Sequence, residues 1–269
     1  MNLKFTHRDK FLLRLAAMIG SRATKCDFVA LENKIIKTVS SRIYPLVMFS
    51  ELDTKIPEKF AFLSLSSFLS IIEEDPEYKL ELDVKKHKSK VSACGKTYTA
   101  PVLIVNEYYD AKDLDPDQSG NEIYMNSAIN SDKWILDEIA RCKKDYIYKF
   151  KLSVEKIEEM IKDVKRIGAK VLNITGKDKV IDLKLMSDMK NDGAMTVEMD
   201  VEGDITGDTA VNIPFFPKIL NGDMTFYACE HETVMIDETN NVSFITNSIT
   251  DVEAQDGIII DFDEQEFIL

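Results

Sequence analysis

The fold is decided by residues 149–187, KFKLSVEKIEEMIKDVKRIGAKVLNITGKDKVIDLKLMS, which predict a strand, an amphipathic helix and a hairpin. The apolar residues of the helix recur with the spacing of a single buried face, at Val154, Ile157, Met160, Ile161, Val164 and Ile167. Ser153 is a suitable N-cap and Gly168 a suitable end. Two alternating segments then flank Gly176-Lys177-Asp178, where we expect the hairpin turn.

The same unit occurs at the start of the chain. Aligning Phe5 with Phe150 sets an offset of 145 residues, and the apolar frame of a helix and a hairpin is kept without a gap. The aligned pairs include Leu12 with Ile157, Leu15 with Met160, Ile19 with Val164 and Val29 with Ile174. Self-similarity at a fixed offset indicates a duplicated domain.

Extending both copies outward predicts an α+β fold in which each half carries two short helices on mostly antiparallel strands. The predicted divisions are a first domain at 1–105, a connector at 106–147 with a helix at 131–144, a second domain at 148–247 and an acidic tail at 248–269. The short second helices are expected at 66–74 and 215–220.

Composition narrows the class of protein. The chain has 269 residues and a net charge of −13, yet residues 1–100 carry 17 Lys and Arg against 12 Asp and Glu. Such asymmetry allows a locally basic surface on an acidic protein. No run of about 18 apolar residues and no signal peptide is found, which predicts an intracellular protein without a membrane span. The four cysteines are scattered, which argues for free thiols and against zinc.

No motif for catalysis is present, so we expect neither an enzyme nor a cofactor. Asp113, Asp115 and Asp117 resemble the start of a calcium loop, but the required Gly and Glu are replaced by Gln118 and Tyr124. The three histidines are far apart, and no nucleophile elbow, zincin or phosphate-loop motif occurs. We therefore predict no catalytic residue and no metal site.

Two pairs of segments carry a resemblance to a known family. KFTHRDKFLLRLAAMIGS (4–21) is echoed by KFKLSVEKIEEMIKDVKRIG (149–168), and FLSLSSFLSII (62–72) by VNIPFFPKILNG (211–222). They resemble the DNA polymerase sliding clamps, or processivity factors, of the T-even bacteriophage type, with the proliferating-cell-nuclear-antigen family behind them. The resemblance covers about residues 2–105 and 147–247 and departs in the connector helix and the tail.

The resemblance implies a homotrimer, a closed ring of six domains whose helices line a hole for double-stranded DNA. Such a ring links a DNA polymerase to its template, is placed by a clamp loader and performs no chemistry of its own. It would act in the cytoplasm, that of the host cell if the protein is viral. Phosphate contacts would come from basic residues on the helices: His7, Lys10, Arg14, Arg22, Lys162, Lys165, Arg166 and Lys218. Glu155 and Glu159 lie on the same outer face as these basic residues in the helix at 153–167.

Clamp partners bind through short peptides at an apolar pocket beneath the interdomain connector. The connector here is rich in aromatic and other large apolar residues, namely Tyr108, Tyr109, Ile123, Tyr124, Met125 and Trp134. Trp134 alternatively buries its helix on its own sheet. In the tail, residues 258–262 are expected to add a strand to the second domain; the alternative is that the tail occupies the partner pocket and competes with partners.

Two other classes of function are compatible with the sequence. A structural ring or tube protein of a virion is also acidic, β-rich and duplicated, and would need no basic helix faces. A metal-dependent nuclease would require the fold to gather Asp251, Asp261 and Asp263, which nothing local supports.

Overall fold

The computed structural model describes residues 2–19, 29–31, 33–39, 46–56, 60–62, 65–83, 88–104, 132–187, 195–214, 219–220 and 222–250. Four helices lie in these ranges: α1 His7–Met18, α2 Leu65–Glu74, α3 Asp132–Asp145 and α4 Val154–Ile167. The chain forms two compact units. Unit 1 is Met1–Glu138 with Asn240–Phe244, and unit 2 is Ile139–Thr239 with Ile245–Leu269. The predicted domain boundaries stay predictions.

Unit 1 contains eight described strands: β1 Asn2–Leu3, β2 Val29–Leu31, β3 Lys34–Val39, β4 Leu46–Glu51, β5 Phe60–Phe62, β6 Lys79–Asp83, β7 Lys88–Ala93 and β8 Lys96–Ile104. All of their pairings are antiparallel. They run from β1 through β6, β7, β8, β5, β2 and β3 to β4.

The strands of the second half are β9 Tyr148–Leu152, β10 Val171–Lys177, β11 Val180–Met186, β12 Thr196–Ile205, β13 Val211–Pro214, β14 Met224–Ala228, β15 Glu232–Asp237, β16 Val242–Asn247 and β17 Ile249–Thr250. In unit 2, β9 pairs with β14 and β14 with β15. Another run of pairs leads from β17 through β13, β10 and β11 to β12, whose end also pairs with β9. The order β5-β2-β3-β4 in unit 1 thus recurs as β13-β10-β11-β12, which confirms the predicted α+β fold with duplicated domains.

Each unit has its own core, formed by the apolar helix faces that the sequence predicts. In unit 1 the residues without solvent exposure include Leu12, Leu13 and Ala16 of α1, Ile72 of α2 and Ile35, Val47 and Met48 of the sheet. In unit 2 they include Met160 of α4 and Leu172, Ile174, Ile181, Leu183 and Leu185 of the sheet. The Phe150 and Phe226 rings stack with centroids 4.8 Å apart.

The unit 2 hairpin turn begins two residues later than predicted and shares only Asp178 with the predicted turn. β10 continues through Gly176 to Lys177, and the turn is made by Asp178 and Lys179, with φ of 53° and 76°. Gly176 is needed inside the strand, because a Cβ there would lie 2.8 Å from the carbonyl oxygen of Val180 and 2.9 Å from Ile205 Cδ1. The glycine reflects a close approach and not a turn.

Other boundaries shift by smaller amounts. The helix expected at 7–20 ends at Met18, the connector helix expected at 131–144 is Asp132–Asp145, and β17 follows the end predicted for the second domain. Ser153 caps α4 and Gly168 ends it in the left-handed conformation, as predicted. The helix expected at 215–220 lies mostly outside the described residues, and the tail strand at 258–262 lies wholly outside them.

Candidate nucleic-acid interface

Helix α1 is anchored at its first turn by a buried carboxylate. Asp9 accepts hydrogen bonds from the backbone N–H of Thr6, while Thr6 Oγ1 accepts from the N–H of Asp9, so the two residues form a capping box. Asp9 also accepts from the N–H groups of Asp53 and Thr54 and from Thr54 Oγ1. Burial opposes its ionisation, but these hydrogen bonds outweigh that effect and hold the pKa of Asp9 below its usual value. The carboxylate therefore fixes the direction in which α1 presents its outer face.

Arg8 fastens the same turn to the neighbouring strand and to a distant segment of unit 1. Its guanidinium donates to the carbonyl of Glu51, to Asp53 Oδ1, to Ser50 Oγ and to the carbonyl of Asn240. A planar group with five donors suits this multiple contact. Arg8 thus has a structural role, although it lies among the basic residues of α1.

The outer face of α1 carries three of the residues that the sequence assigns to DNA, and two of them make contacts within the protein. Lys10 is half-buried: its Nζ donates to the carbonyl oxygen of Ile72 at 3.4 Å and lies 5.0 Å from the centre of the Tyr78 ring. Arg14 is exposed, but its Nε pairs with a carboxylate oxygen of Glu73. His7 is exposed. Lys10 and Arg14 therefore link α1 to the last turn of α2, and each cation already has a partner within unit 1.

The outer face of helix α4 is acidic in its first half and basic in its second half. Its first half exposes Glu155, Glu158 and Glu159, whereas its second half exposes Lys162 and Lys165. Neither lysine has a hydrogen-bond or ion-pair partner among the described residues. Lys165 lies in the last turn, where the helix dipole favours positive charge.

Arg166 completes this basic end of α4. It pairs with Asp163 one turn earlier, at 3.0 Å, and its side chain remains 74% exposed. An ion pair near the surface contributes about 0–1 kcal/mol, so the guanidinium can exchange its carboxylate for a phosphate at small cost. The same holds for Arg14, whose pair with Glu73 has side chains 54% and 37% exposed. We name Lys162, Lys165 and Arg166 the α4 basic patch. The arrangement can attract a phosphate backbone without reading sequence, because contacts from cations to phosphate do not depend on which bases are present.

Most of the remaining predicted site residues lie outside the described residues. Arg22 and Lys218, proposed for DNA, lie outside the described residues, as do Tyr108, Tyr109, Ile123, Tyr124 and Met125 of the connector. Trp134 lies on α3 and is half-buried, next to the fully buried Ile135 and the 46% exposed Leu136. Its assignment to a partner site stays a prediction.

The contacts that occupy Lys10 and Arg14 could not be found from the sequence. Tyr78 and Glu73 are about 60 residues further along the chain, and no short-range pattern pairs them with α1. The presence of both charges on α4 could be predicted from the sequence, because Glu155 and Glu159 lie on the face that also carries Lys162. Over the described part of the chain, no group of three or more His, Cys, Asp or Glu side chains could hold a metal ion. No helix there is long and apolar enough to cross a membrane.

Comparison with solved structures identifies the fold. The chain matches the Helicobacter pylori beta clamp bound to a DNA ligase peptide over 97% of its own length and 68% of that chain, with 11% identity and a TM-score of 0.52. It matches the DNA polymerase III subunit beta of Pseudomonas aeruginosa over 96% of its length and 66% of that chain, with 13% identity and a TM-score of 0.56. It matches the DNA polymerase sliding clamp of Caulobacter crescentus over 92% of its length and 65% of that chain, with 12% identity and a TM-score of 0.55.

These matches establish a sliding-clamp fold, which was the predicted fold. The chain spans about two thirds of the length of the bacterial clamps that it matches. Because those structures are bacterial, they do not support the T-even bacteriophage type in particular. No family model matches the sequence, and no curated protein matches it.

Proposed function

We propose that this chain is a sliding clamp that encircles duplex DNA and tethers a replicative DNA polymerase, with no catalytic activity of its own. The observation that carries the proposal is a duplicated clamp fold that exposes the α4 basic patch in a chain of net charge −13. A protein that slides needs few, weak, sequence-independent phosphate contacts. The net negative charge of the chain would disfavour contact of the duplex with its acidic surfaces and leave the basic ones.

We further propose a homotrimer. The chain holds two clamp-like units, so three copies give a six-unit ring with a mass of about 92 kDa from the 30.6 kDa chain. Sedimentation equilibrium together with small-angle scattering would measure both the mass and the hole. A monomer at every concentration would contradict the ring.

The proposed protein partners are a DNA polymerase and a clamp loader, in the cytoplasm. One of the matched bacterial clamps is bound to a DNA ligase peptide, which supports peptide docking as the mode of partner binding. For this chain the proposed docking residues are those of the connector and Trp134. The T-even type rests on the sequence resemblance alone.

Encirclement is tested by DNA with blocked ends. The protein is incubated with a linear duplex that carries biotin at both ends, so that rings can thread over the free ends. Streptavidin then closes the ends, and the complexes are washed in high salt, which removes contacts to phosphate. We expect the protein to be retained only on the doubly blocked duplex and to be released when a restriction enzyme cuts between the blocks.

Two outcomes separate the alternatives. Equal loss from blocked and open duplexes would overturn encirclement. A virion ring or tube protein would assemble without being retained on either duplex.

A further inference from the structure

The α4 basic patch lies beside an apolar side chain that is only half covered. Lys162 and Lys165 are exposed and have no partner among the described residues, and Arg166 is 74% exposed. Ile161 is half-buried and precedes Lys165 by one helical turn, so the two side chains are neighbours on the helix surface. Cations beside an apolar side chain suit a peptide that carries carboxylates and apolar residues together, whereas a phosphate backbone uses the cations alone.

The acidic tail has this mixed character. Residues 251–269, which lie outside the described residues, contain seven acids and no Lys, Arg or His. Four of the acids fall in residues 261–266, DFDEQE, and Phe262 stands between two of them. We name residues 261–266 the acidic segment. Its charge is opposite to that of the α4 basic patch, and opposite charges at close range attract.

The described structure shows where the tail begins. Thr250 of β17 pairs with Val211 of β13, and Val211 also pairs with Ile174 of β10. Neighbouring strands are about 4.8 Å apart, so Thr250 lies about 10 Å from Ile174. α4 leads into β10 through Gly168, and all of these elements belong to unit 2. The tail therefore starts two strands away from the strand that follows α4.

The tail is long enough to reach the patch. The chain from Ile174 back to the end of α4 at Ile167 spans at most about 25 Å. Lys162 lies about 8 Å further along the helix, which places it within about 43 Å of Thr250. An extended chain from Thr250 to Glu264 spans about 46–50 Å. The acidic segment can therefore contact the patch of its own chain while β17 stays paired.

Two features determine where and how tightly the acidic segment binds. Glu155, Glu158 and Glu159 are exposed in the first half of α4 and repel carboxylates, which leaves the second half as the acceptor. Exposed ion pairs are individually weak and are screened by salt, so the contact is reversible. Attachment to the same chain compensates for this weakness, because a short tether gives an effective concentration of about millimolar order.

We propose that the acidic segment binds the α4 basic patch of its own chain, so that the patch accepts an acidic peptide as well as a phosphate backbone and cannot hold both at once. The binding of the segment is independent of the proposed function, whereas its competition with DNA rests on that function. A strand at 258–262, which the sequence predicts, would instead hold Asp261 against the sheet of unit 2 and leave the patch open.

Zero-length cross-linking of the wild type without DNA tests the binding itself. A carbodiimide joins a carboxylate to a lysine amine only where the two groups are in contact, and mass spectrometry of the peptides locates each link. The matched control is the pair Lys143 and Lys144, two exposed lysines in the last turn of α3. We expect links from the acidic segment to Lys162 and Lys165 to be at least about fivefold more frequent than links to the control pair.

Two results would overturn the binding. Links spread evenly over both lysine pairs would show that the acidic segment has no fixed site. Links that form only between copies, detected by mixing isotopically labelled with unlabelled protein, would exclude binding within one chain.

Neutralising the acidic segment tests the competition with DNA. The neutral variant carries Asp261→Asn, Asp263→Asn, Glu264→Gln and Glu266→Gln. Its affinity for a short duplex at low salt should exceed that of the wild type by about threefold. In a protein that also carries Lys162→Gln and Lys165→Gln, the same four substitutions should change the affinity by less than about 1.5-fold, because the patch no longer holds the segment. Equal gains in the two backgrounds would indicate diffuse repulsion and overturn the competition.

The two measurements separate this inference from the proposed function, and circular dichroism confirms that each variant is folded. If the links to α4 form but the wild type does not bind DNA, the proposed function fails and the binding of the acidic segment stands. If the wild type binds DNA but the links to α4 do not form, this inference fails and the proposed function stands.

Discussion

Helices α1 and α4 occupy equivalent positions in the two units, but they use their cations differently. The cations of α1 are held by the protein itself, Lys10 on the carbonyl of Ile72 and Arg14 on Glu73. Lys162 and Lys165 of α4 have no partner in the described structure. Under the proposed function, a basic residue without a partner can meet a phosphate directly, whereas one held by a neighbouring element must first give up that contact. If the proposed function holds, the α4 basic patch contacts DNA and Lys10 has a structural role.

The largest expected effect concerns the first turn of α1. Asp9→Ala leaves the buried donors of Asp53 and Thr54 without an acceptor and removes the capping box, so unit 1 should lose about 3 kcal/mol. Removing the α4 cap by Ser153→Ala should cost only about 1 kcal/mol, since Ser153 accepts one long bond, at 3.4 Å. Urea denaturation measures both.

The effect of Asp9 should also depend on pH. Because its pKa is lowered in the folded state, its contribution is complete above the usual value of 3.8 and is lost as pH falls through the lowered value. The difference between the wild type and Asp9→Ala should therefore shrink at strongly acidic pH. A difference that stays constant would contradict the role given to the carboxylate.

A second contrast lies at one aligned position, which is Lys37 in unit 1 and Asp182 in unit 2. Burial lowers the pKa of Lys37 to about 8, whereas Asp182 is exposed and its pKa is raised. Between about pH 8 and 10.5 the unfolded chain binds a proton at Lys37 that the folded chain has released, so folding gains stability as pH rises. From pH 7 to 9.5, the free energy of unfolding of the wild type should rise by about 2 kcal/mol relative to Lys37→Met. Parallel pH profiles of the two proteins would contradict the shift.

The third prediction concerns Lys10. Lys10→Met keeps the apolar stem but removes the hydrogen bond to Ile72 and the contact with the Tyr78 ring, which should cost about 1 kcal/mol of stability. The affinity for a short duplex should change by less than about twofold. If Lys10→Met leaves the free energy of unfolding unchanged but weakens DNA binding, Lys10 contacts DNA and the structural role is wrong.

The sequence predicted most of the fold because its signals are local. The helix at 153–167, its cap at Ser153 and its end at Gly168 follow from spacing and helix-end chemistry, and so does the echo of this unit at the N-terminus. The hairpin turn was misplaced because Gly176 was predicted to be a turn residue, whereas it is needed inside the strand for the close approach of the Val180 carbonyl and the Ile205 side chain. The contacts that hold Lys10 and Arg14 could not be predicted, because their partners are far away in sequence. Lys10 and Arg14 stand on the expected face, but their partners come from α2 and the turn before β6.

The most direct test of the account compares the two helices in one DNA-binding measurement. Lys162→Gln with Lys165→Gln is set against Lys10→Gln with Arg14→Gln, and binding to a short duplex is followed by fluorescence anisotropy over a range of salt concentrations. The α4 pair should lower the slope of log affinity against log salt by about 2, since each lost phosphate contact contributes about 0.9. The α1 pair should lower it by less than half as much. An equal loss in both pairs, or a larger loss in the α1 pair, would contradict the assignment of the DNA contact to α4.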